Sequence, residues 1–129
     1  MNIYLDYLLA AIPLGMTFLY GCVGEILTEK AGHLNLGIPG IMCVGGACGC
    51  LTISLIGGLG IPAFLIVILA ILASFIGGII MGCIYCFLTV TLKSNQNVTG
   101  LAMTTFGVGT TKFIMSSLAN GGGMSYLFA

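Results

Sequence analysis

Residues 31–92 run for 62 positions without a single Asp, Glu, Lys or Arg. A helix needs about 20 predominantly apolar residues to cross a bilayer, so this window alone must hold more than one span. The formal charges are Asp6, Glu25, Glu29, Lys30, Lys93 and Lys112, and they sum to zero. Charged residues make up 5% of the chain and hydrophobic residues 59%, with a mean hydropathy of +1.22. A soluble domain carries about a quarter charged residues. This chain therefore cannot clothe a water-facing surface, which excludes a soluble enzyme. It also has no basic patch for nucleic acid. The expected fold class is all-α, a multi-pass transmembrane helical protein in a lipid bilayer, with about four membrane segments.

The sequence reads as one unit, 1–129, with helices at about 4–27, 41–56, 62–92 and 98–118. The first apolar stretch follows Asp6 and lacks a basic leader or a small-residue cleavage pattern, so it is expected to be a retained helix rather than a signal peptide. Pro13 is expected to kink it. From Glu29 to Pro39 the backbone should be irregular, because Gly32, Gly37 and Pro39 interrupt helical hydrogen bonding. Gly57 to Gly60 should turn the chain, with Pro62 in the first turn of the third helix. That helix, roughly 30 residues at 1.5 Å each, would be about 45 Å long and must tilt or protrude. Asn97 or Thr99 is expected to cap the fourth helix, and Asn120 to Gly123 to end it. Alternation of four helices puts Lys30 and Lys93 on one side, and basic residues favour the cytoplasm.

Ala70, Ser74, Gly78, Gly82 and Cys86 recur every fourth position on the third helix, and Gly45 and Gly49 on the second. These small residues are expected to form faces where neighbouring helices approach closely.

Few residues offer chemistry. Cys83 and Cys86 have redox or zinc spacing but lie inside an apolar helix, where cysteine serves as a small packing residue. His33 is the only histidine, with no nucleophile or paired carboxylate beside it, and is expected to shape its loop. No catalytic and no metal site is expected. Glu25 and Glu29 lie one turn apart near a helix end, where interfacial solvation competes with a transport or coupling role. Thr104, Thr105, Thr110, Thr111 and Lys112 make the last helix polar for a span, so something polar is expected to face it.

The segment from Glu29 to Gly40 (EKAGHLNLGIPG) resembles a signature of the membrane permease subunits of ATP-binding-cassette importers for nucleosides, simple sugars and branched-chain amino acids. Glu29, Lys30, Gly32, Asn35, Gly37 and Gly40 match in order, whereas Pro39 stands where the family usually has an acidic residue. About 60 residues on, Asn95 to Met103 (NQNVTGLAM) and Phe106 to Gly109 (FGVG) resemble a second family segment. Two motifs in the right order make the resemblance fairly specific, and it covers nearly the whole chain.

The resemblance implies the N-terminal part of a permease without catalytic chemistry or a cofactor of its own. Its expected partners are a C-terminal permease half or second permease subunit, a cytoplasmic ATPase that binds ATP, and an extracytoplasmic substrate-binding protein. The assembly would sit in the cell membrane and carry a nucleoside or simple sugar. The residues implied for translocation are Glu29, Gly32, Asn35, Gly37, Gly40, Asn95, Gln96 and Gly100, since broken helices expose backbone groups at transport sites. Gly45, Gly49, Ser74, Gly78 and Gly82 are expected to pack helices. The alternatives are a small four-helix proton-coupled drug antiporter, which would need a carboxylate midway along the first helix, and a non-transporting assembly subunit.

Overall fold

The computed structural model describes residues 3–120, so the expected stop at Gly121 to Gly123 lies outside the described residues. Four helices follow one another: α1 Ile3–Lys30, α2 Ile38–Ile56, α3 Ala63–Cys86 and α4 Gln96–Asn120. A π-helical stretch, Phe87–Thr91, continues α3 without a break. The described residues contain no strand.

Three segments are long and apolar enough to cross a membrane: α1 with 28 residues, α2 with 19, and α3 with its π-helical end, 29 residues from Ala63 to Thr91. The fourth helix has the length, 25 residues, but its threonines, serines and Lys112 keep it below the hydropathy of the others. Two of its hydroxyls serve their own helix. Thr105 donates to the Leu101 and Ala102 carbonyls and Thr110 to that of Phe106. For these two the backbone of α4 supplies the polar partner, whereas Thr104 donates to the Leu36 carbonyl outside the helix. Thr111 Oγ1 is buried without a partner among the described residues.

The broken segment is shorter than expected, because Glu29 and Lys30 finish α1 while Ile38 and Pro39 open α2. Pro39 can do so because a first-turn N–H has no intrahelical acceptor to lose. The stop of α1 is set by Gly32 at φ +82°. Its N–H donates to the Glu29 carbonyl at 2.9 Å, and the His33 N–H donates to that of Thr28 at 3.0 Å. This is a Schellman arrangement, which calls for a left-handed residue just past the helix. Pro62 flanks α3 as its N-cap rather than standing inside its first turn. The cap of α4 is neither Asn97 nor Thr99. It is Asn95, whose Oδ1 accepts from the Asn97 N–H at 3.0 Å and the Val98 N–H at 3.5 Å. Thr99 is buried and instead shares a 2.7 Å hydrogen bond with Ser94.

The second helix is the hub, with α3 and α4 both packed along it and α1 touching it only locally. Gly45 lies against Ser74 and Gly49 against Ala70, so α2 and α3 run antiparallel. Gly37 faces Gly100 and Met103, and Gly40 faces Met103, Thr104 and Gly107, so α2 and α4 run parallel. The 31–37 connection and the 92–95 turn consequently meet at one end of the bundle. No residue of α1 is buried. It meets α2 through Gly21 and Gly24 against Ile38 and Met42, leaving most of its apolar surface bare. In lipid such a surface carries no hydrophobic penalty.

The face of α3 against α2 departs from the expected stripe. Ala70, Gly77, Met81 and Tyr85 are buried, and a Cβ on Gly77 would stand 2.7 Å from Cys48 Sγ. By contrast, Cβ atoms on Gly78 or Gly82 would meet nothing within 4 Å, and Cys86 is exposed. At about 100° per residue, a strict four-residue spacing gains roughly 40° at each step. From Ala70 to Cys86 it winds off the contact, which follows Ala70, Ser74, Gly77, Met81 and Tyr85 by taking one step of three among its steps of four. Ser74, Gly45 and Gly49 lie in the contact as expected.

Candidate functional site

Between Lys30 and Ile38 the chain has no helical ladder to occupy its backbone groups, and in a membrane each unsatisfied group costs several kcal/mol. The sequence supplies partners from two distant places. Gln96, the first residue of α4, accepts from the Leu34 N–H through Oε1 at 2.9 Å and donates from Nε2 to His33 Nδ1 at 2.9 Å. Near the end of α3, Tyr85 donates from its hydroxyl to the Leu34 carbonyl at 2.8 Å. Thr104, two turns into α4, donates to the Leu36 carbonyl at 2.7 Å. The loop is therefore clamped at both its N–H and C=O groups.

Asn35 sits at the centre of this clamp, 6% exposed. Its Oδ1 accepts from the Gly37 N–H at 3.0 Å, an Asx turn that leads into α2. Its amide nitrogen makes no hydrogen bond among the described residues.

Glycine sets how closely α4 approaches. A Cβ on Gly40 would overlap the Met103 carbonyl oxygen and lie 2.7 Å from Thr104 Cα. One on Gly107 would collide with the Gly40 carbonyl, and one on Gly100 would stand 2.9 Å from the Leu36 backbone nitrogen. Here α2 and α4 touch backbone to backbone. Most of the residues implied by the resemblance thus converge: Asn35, Gly37 and Gly40 on one side, Gln96 and Gly100 on the other, with Asn95 capping the helix that carries the last two. Glu29 and Gly32 do not join them. The Glu29 side chain is exposed, and Gly32 acts through its backbone at the end of α1.

Gly107, Tyr85 and Thr104 complete the contact; Thr104 was one of the hydroxyls for which a polar partner was expected, and the Leu36 carbonyl is that partner. Gly107 carried a signal, because it lies seven residues after Gly100 and hence on the same helix face. Tyr85 carried none, because its role depends on which carbonyls the loop leaves open.

A groove of about 540 Å³ runs beside the clamp, between α1 and α2. Its lining includes Phe18, Cys22, Glu25, Asn35, Pro39 and Met42. Glu25 Oε1 is buried with no hydrogen-bond partner among the described residues. No lysine or arginine lines the groove.

These two docked segments are the ones that carry the family resemblance, and comparison with known proteins extends it along the chain. Residues 4–124 match the family described as branched-chain amino acid transport system / permease component. The chain belongs to this permease family. A relative from Haloferax volcanii, whose name describes it as a glucose ABC transporter permease protein, is 31% identical over 113 residues. The match covers 83% of this chain and 30% of that relative, so the chain spans about a third of the relative's length. No solved structure matches this permease chain. That family is described as one of transport-system permease components.

Proposed function

We propose that the chain is the N-terminal part of the permease subunit of an ATP-binding-cassette importer, and that it forms part of the translocation pathway for a nucleoside or simple sugar. The observation that carries this reading is the match to the glucose permease across most of this chain. A C-terminal permease half or second permease subunit completes the pathway in the cell membrane. A cytoplasmic ATPase binds and hydrolyses ATP, and an extracytoplasmic substrate-binding protein delivers the substrate. The clamped loop supports the reading because it holds non-helical backbone and Asn35 within a helical bundle, the arrangement by which transporters present polar groups to a substrate. In this role Asn35 contacts the substrate, while Gly37, Gly40, Asn95, Gln96 and Gly100 hold it in place.

Reconstituted with these partners, the chain should support ATP-dependent uptake, and Asn35→Ala should lower uptake more than Ser54→Ala. Proton-driven uptake by the isolated chain without nucleotide would refute the reading and favour the antiporter.

A further inference from the structure

The geometry points to the groove between α1 and α2 as a weak binding site for a neutral sugar ring, either a free sugar or the ribose of a nucleoside, held by Glu25 and Asn35. This inference rests on the transport reading above and assigns the substrate contact to a place in the fold. Three observations carry it.

The first is an unspent donor and an unspent acceptor among the lining residues. Asn35 is more than nine-tenths buried, and its Oδ1 is committed to the Gly37 N–H while its amide NH2 is unpaired among the described residues. Glu25 lines the same groove with one carboxylate oxygen buried and unpaired. The terminal torsion of Glu is broad, so rotation turns that oxygen toward a hydroxyl entering the groove. A sugar hydroxyl both donates and accepts. Neighbouring hydroxyls can therefore donate to Glu25 and accept from Asn35.

The second is the remaining wall. Phe18, Pro39 and Met42 present apolar surface that suits the C–H face of a sugar ring, and about 540 Å³ falls within the 300–1,000 Å³ usual for small-molecule sites. The third is charge. Glu25 lines the groove and no lysine or arginine does, so the site disfavours an anion, whereas a neutral ring needs no counter-charge. Two polar groups for several hydroxyls give weak binding, which suits a site that must release what it takes up.

The test uses the complete importer in liposomes, with labelled glucose and labelled uridine as separate probes of the free-sugar and nucleoside sources. Glu25→Ala and Asn35→Ala should each lower uptake of the transported probe by about tenfold, the factor for losing one hydrogen bond of this kind. Thr110→Ala, whose hydroxyl bonds only its own helix, should leave uptake unchanged. An independent reading needs no variant. Cys22 lines the groove and is exposed, so a water-soluble maleimide should label it in the wild-type importer, and the transported probe should slow that labelling, as followed by mass spectrometry.

Uptake of neither probe by the wild type overturns the transport reading itself. Normal wild-type uptake with both variants unimpaired overturns the site alone. So does a Cys22 that never labels, as when another helix or a lipid chain fills the groove, or one that labels without substrate protection.

Discussion

Replacing Gly40 by alanine adds one methyl group where α2 and α4 have no room for it. The new Cβ would overlap the Met103 carbonyl oxygen and lie 2.7 Å from Thr104 Cα and 2.9 Å from the Met103 carbonyl carbon. Carbon atoms pack best at about 3.5–4.0 Å. All the obstructing atoms are backbone, so no side chain can rotate away, and the helices must part by about 1 Å. A gap of that size forfeits about a quarter to a half of the dispersion energy of each contact it opens. Dispersion and close approach are what hold helices together in lipid. Overpacking of this kind costs about 1–3 kcal/mol, against which alanine returns up to about 1 kcal/mol of helix propensity. The control is Gly46→Ala in the same helix, where a Cβ meets nothing within 4 Å and only the propensity gain remains. Thermal unfolding of the detergent-purified chain, followed by circular dichroism, should place Gly40→Ala below the wild type by several degrees and Gly46→Ala at or above it. Equal midpoints for the two variants would refute the backbone-on-backbone account of the α2–α4 contact.

In the same assay Gly77→Leu should destabilise the chain strongly, because its Cβ already meets Cys48, while Gly78→Leu should be tolerated because that side of α3 is open. Gln96→Ala leaves the part-buried Leu34 N–H without its acceptor, a loss of about 1 kcal/mol. Amide hydrogen exchange across residues 31–37 should accelerate, and unchanged protection would show that the clamp does not depend on Gln96.

The positions most legible in sequence were those governed by local rules. Gly32 had to end a helix because Gly adopts positive φ at little cost, and the charge-free window demanded membrane spans because no other environment accepts it. Less legible was anything set by the rotation of one helix against another. The four-residue stripe on α3 looked like a packing face, yet the helix turns about 3.6 residues per cycle, so the contact passes from Ser74 to Gly77, with Gly78 meeting Gly45 only through its backbone and a Cβ on Gly82 meeting nothing. The polar face of α4 likewise invited an external partner, and Thr104 finds one in the Leu36 carbonyl while Thr105 and Thr110 bond their own helix.

Sequence by itself determined that this chain lives in a bilayer as helices, where it breaks, and to which family it is similar, because hydropathy, glycine, proline and motif order all act locally along the chain. Only the tertiary structure decided why the two motifs occur together. The loop around Asn35 leaves N–H and C=O groups that lipid cannot satisfy, and Gln96, Tyr85 and Thr104 reach them only when Gly40 and Gly107 let the helices close to backbone contact. That pairing joins residues more than 60 positions apart, and no pattern along the chain encodes it.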